Sequence, residues 1–164
     1  MEKSYYKSHI GILEIIYENN KLVSLKLVDC CEKSNVETDF IKDLKNQLDE
    51  YFLGIRTTFN ININPAGTDF QKLVWSKLQN IPYGKTKSYS EVAESIGNKN
   101  TQRAVDNACN KNPIMIIIPC HRAVSKNNNL GGYAYGSKIK QKLLNIENGV
   151  KLRLNIQSLH PHGL

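Results

Sequence analysis

The residues best equipped for chemistry sit together in Pro119-Cys120-His121-Arg122, directly after the apolar, β-branched run 114–118. A run of that kind reads as a buried strand that delivers the cysteine at its exit. The thiolate is the nucleophilic form of cysteine and nearby cationic character favours it, so His121 and Arg122 mark Cys120 as a candidate low-pKa nucleophile. Adjacent side chains diverge, and a bridging water or a third residue is needed to connect Cys120 with His121. On these four residues alone a second reading stays open, in which Cys120 is a small buried hydrophobe. Cys30, Cys31 and Cys109 have no comparable setting, and no pair has the Cys-x-x-Cys spacing of a zinc or dithiol site. Near Cys30-Cys31 the only histidine is His9, so no metal is expected; His160 and His162 read as solvent-exposed.

The elements that must position this segment follow from periodicity and punctuation. Residues 5–28 form two β-leaning runs around Asn19-Asn20, which suggests a hairpin. Phe40, Ile41, Leu44, Leu48, Tyr51 and Phe52 recur at helical spacing before Gly54, and residues 59–63 alternate as a short strand would. Asn64-Pro65-Ala66-Gly67 punctuates the chain and sets the boundary between an N-terminal α+β scaffold (1–64) and a second unit (65–150), with 151–164 as a tail. Thr68 can cap a helix carrying Phe70, Val74, Trp75 and Leu78, and Ser88 a helix over 89–96 that stops at Gly97-Asn98. A third helix spans about 101–110 and is halted by Asn112-Pro113. Two short helices joined by a Gly-containing turn suit a DNA-binding helix-turn-helix and, equally, a plain packing unit. Residues 125–136, rich in Lys, Asn, Gly and Tyr, read as a surface loop; 138–146 read as a last helix with Ile139, Leu143 and Leu144 inward and its lysines outward.

Composition narrows the partners. The formal charge of +7, from 22 Lys plus Arg against 15 Asp plus Glu in 164 residues, biases the chain toward a polyanion such as nucleic acid. The first 16 residues are too polar for a signal peptide, and no stretch approaches the ~18 apolar residues of a membrane span. An intracellular protein with reduced thiols is therefore expected, in nucleus or cytoplasm, without a membrane partner.

Ile118-Pro119-Cys120-His121-Arg122 resembles the active-site signature of the methylated-DNA–protein-cysteine methyltransferases, the alkylguanine-DNA alkyltransferases. Gly67-Thr68-Asp69-Phe70-Gln71, Val74-Trp75, Ile81-Pro82-Tyr83-Gly84, Ser88-Tyr89, Arg103-Ala104-Val105, Asn112-Pro113, Leu130-Gly131-Gly132-Tyr133, Lys140 and Glu147 follow the family's order and spacing. The resemblance is strong over residues 67–147 and general before them. It implies an α+β fold in which an N-terminal ribonuclease-H-like α/β domain packs on a mainly helical C-terminal domain with a winged helix-turn-helix. It also implies a monomer that needs no cofactor and acts on double-stranded DNA containing alkylated guanine, moving the alkyl group irreversibly from O6 to Cys120.

The same resemblance implies roles. His121 matches the base that reaches the thiol through a water, and Glu147 the carboxylate that orients it. Tyr89 matches the hydroxyl donor to guanine N3, Lys140 a lysine of the same pocket, and Asn112 the asparagine tying the recognition helix to the active site. Arg103 matches the finger that fills the stack vacated by a flipped base, and Ala104 a small residue that lets the helix approach the minor groove. Ser90 and Asn98 sit where phosphate contacts occur, Tyr133 in the loop walling the pocket, and Arg122 is grouped with these DNA-facing residues. Three departures stand out: Asp106 where the family carries Gly, Ala123 for Val, and Asn128 for a loop Gly. A lesion-binding relative without transfer activity is the alternative, but such proteins lack the acceptor cysteine that Cys120 supplies.

Overall fold

The structure, a computed structural model, describes residues 1–35, 37–127 and 129–159, with side chains through residue 149. Asn128, His160 and His162 lie outside the described residues. The chain opens with strands β1 (Glu2–Ser8), β2 (Gly11–Glu18) and β3 (Lys21–Val28), a three-stranded antiparallel sheet in the order β1-β2-β3. One hairpin had been expected from the apolar pattern, but its first run is itself two strands. The reversal between them falls at Gly11, whose φ of +128° is glycine territory and whose missing Cβ makes room for Leu27. The second reversal is at Asn19-Asn20, both left-handed at φ 52° and 58°, the conformation that a tight hairpin requires and asparagine tolerates.

Helix α1 (Asp39–Phe52) starts where the Thr38 hydroxyl accepts from the Ile41 amide, and its buried stripe of Ile41, Leu44, Leu48, Tyr51 and Phe52 faces the sheet. Residues 59–63 do not form the strand their alternation suggests. Ile63 makes one parallel bridge to Leu22, with the Leu22 amide donating to Asn62 O (2.9 Å) and the Asn64 amide to Leu22 O (2.8 Å). Farther along the same edge of β3, Leu25 bridges Ile114. The edge is thus closed by two short segments, and neither runs along it far enough to become a strand.

The second half is helical: α2 (Asp69–Leu78), α3 (Tyr89–Ser95), α4 (Gln102–Asn110) and α5 (Ser137–Leu159), with a two-residue parallel pair of β4 (Lys87–Ser88) and β5 (Ala123–Val124). Thr68 and Gln71 form a reciprocal capping box at the start of α2. Gly67 precedes it because a Cβ there would lie 2.5 Å from the Trp75 ring. Trp75, 1% exposed, donates its indole N–H to Ala108 O at 2.8 Å and locks α2 to α4. Ser88 caps α3, Gly97 ends it at φ +97°, and a 3-10 turn over Lys99–Thr101 leads into α4, giving the expected pair of helices and tight turn. Residues of both halves share one core, in which Leu13, Ile15 and Leu25 meet Trp75, Val105, Ile114 and Leu143.

Two other expectations need correction. Residues 114–116 and 118 are buried, with Ile117 partly so, but they make no strand. After the single bridge at Ile114 the chain coils tightly: the Ile117 amide donates to Met115 O (2.8 Å), Ile118 to Ile114 O (3.1 Å) and Cys120 to Ile118 O (2.8 Å). Ile116 sits at φ 73°, a conformation that costs a residue of its type about 1–3 kcal/mol. The last helix does not stop at 146 but continues into the tail to Leu159, in keeping with the good helix formers Lys151, Leu152, Arg153 and Leu154. Among the described residues no helix is long and apolar enough to cross a membrane.

Candidate active site

Cys120 and His121 lie in a single 3-10 turn, Cys120–Arg122, and are 3% and 0% exposed. The turn is held from three directions. Asn112, just past the end of α4, uses its whole amide: Nδ2 donates to Ile118 O (2.8 Å) and to Cys120 Sγ (3.1 Å), and Oδ1 accepts from the Ile114 amide (2.9 Å). One side chain thereby braces the strained coil and touches the sulfur.

From α5, Glu147 reaches into the same region, 2% exposed. Its Oε2 meets His121 Nε2 at 2.5 Å and accepts from the Tyr51 hydroxyl at 2.7 Å, while Oε1 accepts from Arg122 Nε at 2.8 Å. Burial alone would raise the Glu147 pKa, but the hydrogen bonds from His121 and Arg122, together with the Arg122 charge, outweigh it and bring the carboxyl down to about 2. An ionised carboxylate only accepts, so His121 Nε2 must carry the proton. Burial holds the imidazole neutral, which leaves Nδ1 a lone pair; this atom is buried and has no hydrogen-bond partner among the described residues. The ring is therefore set as a base, with Nδ1 able to take a proton.

The thiol itself does not behave as its neighbours in sequence suggest. Burial raises the Cys120 pKa, against the opposing pull of the Asn112 donor, the Lys140 charge and backbone N–H groups. Arg122 gives no such help because its charge is spent on Glu147, and His121 is neutral. Cys120 is thus a protonated thiol at rest rather than a low-pKa one, and it needs a base. The expectation that Arg122 faces DNA is corrected by the same geometry: its guanidinium is buried, donates also to Ile81 O (2.8 Å), and lies 5.7 Å from the Tyr83 ring centroid.

Lys140 is fully buried, unlike the outward lysines of its helix. Nζ donates to Ala123 O (2.6 Å), Gly132 O (3.0 Å) and the Tyr89 hydroxyl (3.4 Å), tying α5 to the turn, the 125–136 loop and the start of α3. Tyr89 also donates to Gly132 O at 3.2 Å, and burial raises its pKa, so its hydroxyl keeps its proton. Gly131 closes beside it at φ +76°, where a Cβ would come within 3.1 Å of the Tyr89 ring. Tyr133 brings a buried hydroxyl close to the Cys120 sulfur, its pKa raised by burial and by its interaction with Cys120. Cys120, His121, Glu147, Asn112, Lys140, Tyr89 and Tyr133 are therefore brought together.

Known proteins resemble this chain over most of its length. The profile described as "6-O-methylguanine DNA methyltransferase, ribonuclease-like domain" matches residues 1–65, and its DNA binding domain counterpart matches 69–149. A probable methylated-DNA–protein-cysteine methyltransferase of Acanthamoeba polyphaga mimivirus is 41% identical over 153 residues, 90% of this chain and 97% of its own. The chain belongs to the methylated-DNA–protein-cysteine methyltransferase family. Another such methyltransferase, from Methanosarcina acetivorans, is 48% identical over 109 residues, 66% of this chain and 70% of its own. The crystal structure of Mycobacterium tuberculosis OGT in complex with DNA superposes with a TM-score of 0.83 at 34% identity, covering 92% of this chain and 94% of that one.

The remaining residues that the methyltransferase resemblance singles out lie outside this cluster. Arg103 and Ala104 are exposed on α4 and Asn98 is exposed in the turn before it, where its side chain accepts from the Asn100 amide. Ser90 is half-buried, its hydroxyl 3.0 Å from that of Ser88. Asp106, on the same helix, is half-buried; its charge adds to the burial that raises the Tyr89 pKa and opposes the burial that lowers that of Lys140. Tyr51 was not legible as a site residue: in sequence it is one more apolar-face position of α1, and nothing local ties it to a glutamate 96 residues away.

Proposed function

We propose that this protein repairs DNA directly, moving an alkyl group from O6 of guanine to the sulfur of Cys120 in a single SN2 displacement. The observation that carries the reading is the buried thiol held by Asn112 beside a neutral His121 whose far nitrogen is pinned by ionised Glu147. The S–H proton passes through a water to His121 Nδ1, the sulfur lone pair forms the S–C bond, and the C–O6 bond breaks with its electrons left on guanine. The Tyr89 hydroxyl donates to guanine N3 as that negative charge develops. Lys140 supplies the nearby positive charge that favours thiolate over thiol. The thioether product is inert, so each molecule acts once.

The target oxygen is stacked inside duplex DNA, so the nucleotide must rotate out, at a cost of a few kcal/mol. Exposed Arg103 fills the gap from the minor groove while Ala104 keeps the helix close to it, and Ser90 and Asn98 contact backbone phosphate. With Cys120 3% exposed, the loop carrying Gly132 and Tyr133 must give way as the base enters. The protein acts as a monomer. Titration of a duplex carrying one methylguanine tests the reading: repaired guanine should plateau at one per protein molecule, and continued turnover would overturn the stoichiometric mechanism.

A further inference from the structure

Glu147 is the junction of the site, and one of its donors comes from outside the C-terminal half. Tyr51 belongs to α1, in the ribonuclease-like part of the chain, and its hydroxyl donates to the same Oε2 that holds His121. The phenol is 1% exposed and fixed by Phe52 and Phe59, with ring centroids at 5.4 and 5.5 Å, and by an edge contact to Tyr83 at 6.4 Å. Burial and the Glu147 charge keep it protonated, so it is a donor at any working pH.

We propose that Tyr51 is a positioning residue for the transfer, through which the N-terminal domain sets the orientation and basicity of His121. The inference rests on the Cys120, His121 and Glu147 relay. Glu147 faces Tyr51 from α1 and His121 and Arg122 from the 3-10 turn; around them, Tyr83 couples electrostatically to Tyr51, Lys140 to His121, and Glu147 itself to Tyr133. Each donor to a carboxylate spreads its negative charge. Removing the Tyr51 hydroxyl concentrates that charge on the bond to His121 and makes the imidazole easier to protonate. A protonated His121 cannot take the thiol proton.

The test is the pH dependence of the single-turnover rate of alkyl uptake on Cys120 by the full chain, read by intact mass with a methylguanine duplex. In Tyr51→Phe, which keeps the ring packing, the acid limb should move up by about 0.5–1 pH unit, so that the rate at a pH on that limb falls about 3- to 10-fold. In a Glu147→Gln background the same change should have no further effect on the limb. Should Tyr51→Phe not fold, 3-fluorotyrosine at position 51 keeps the shape and strengthens the donor, and the limb should move down instead. A limb that stays in place, even with a uniformly slower rate or a lower melting temperature, overturns the proposal and leaves Tyr51 a packing residue. A wild type that takes up no alkyl group overturns the relay reading, and this inference with it.

Discussion

Asn112→Ala separates the two jobs assigned to one amide. The loss can be followed group by group. Ile118 O keeps the Cys120 amide as a donor, so it is not stranded. The Ile114 amide loses its acceptor, and an orphaned buried donor costs about 1–3 kcal/mol. The brace on Ile116 at φ 73° is removed as well, so the fold should lose about 2–4 kcal/mol in urea denaturation. The sulfur loses the Asn112 donor at 3.1 Å, and a hydrogen bond to a charged group is worth about 1.5–3 kcal/mol, so the thiol becomes harder to ionise. Single-turnover transfer from a free alkylguanine base, measured well below the denaturation midpoint, should therefore slow about 10- to 100-fold. A transfer rate within about two-fold of wild type, with the stability loss present, would show that the amide only holds the coil and would refute its role at the sulfur.

Three further outcomes follow. Arg103→Ala should impair repair of duplex DNA far more than reaction with a free alkylguanine, because only the duplex requires flipping; equal losses would contradict the finger assignment. Tyr89→Phe should lower the transfer rate about 10²-fold, on the scale of removing one donor to developing negative charge, and a wild-type rate would remove Tyr89 from the chemistry. Stability should fall with acid: both His121 and Glu147 have folded pKa values below their unfolded ones, so their contributions are complete above the unfolded values and are lost as pH drops. Loss should begin below about pH 6.5 with His121 and continue from about pH 4.5 toward 2 with Glu147, whose share is about 3 kcal/mol. Urea midpoints that stay flat between pH 6.5 and 3 would contradict this.

Much of the C-terminal half was legible because its signals are local. Thr68 and Ser88 cap helices where their residue types suggest, and Gly97 ends the helix that needs a left-handed stop. The coil at 114–118 was not, since five apolar residues carry strand propensity and the tertiary brace from Asn112 is invisible in them. The thiol was misjudged for a related reason. Burial keeps His121 neutral, and Glu147, a residue 25 positions beyond Arg122, takes up the Arg122 guanidinium, so burial outweighs sequence proximity. Arg122 likewise reads as a surface cation until Glu147 and Ile81 O are seen to enclose it. What composition and spacing cannot show is which long-range partner fixes a group's protonation state.

The most direct test of the account is the intact mass of the protein after mixing with a duplex containing one methylguanine, with peptide mapping and Cys120→Ser alongside. One methyl group per molecule, located on Cys120 and absent from the variant, is the predicted result. A protein that binds the damaged duplex but gains no mass, or a methyl group found on Cys109 or another residue, would contradict it.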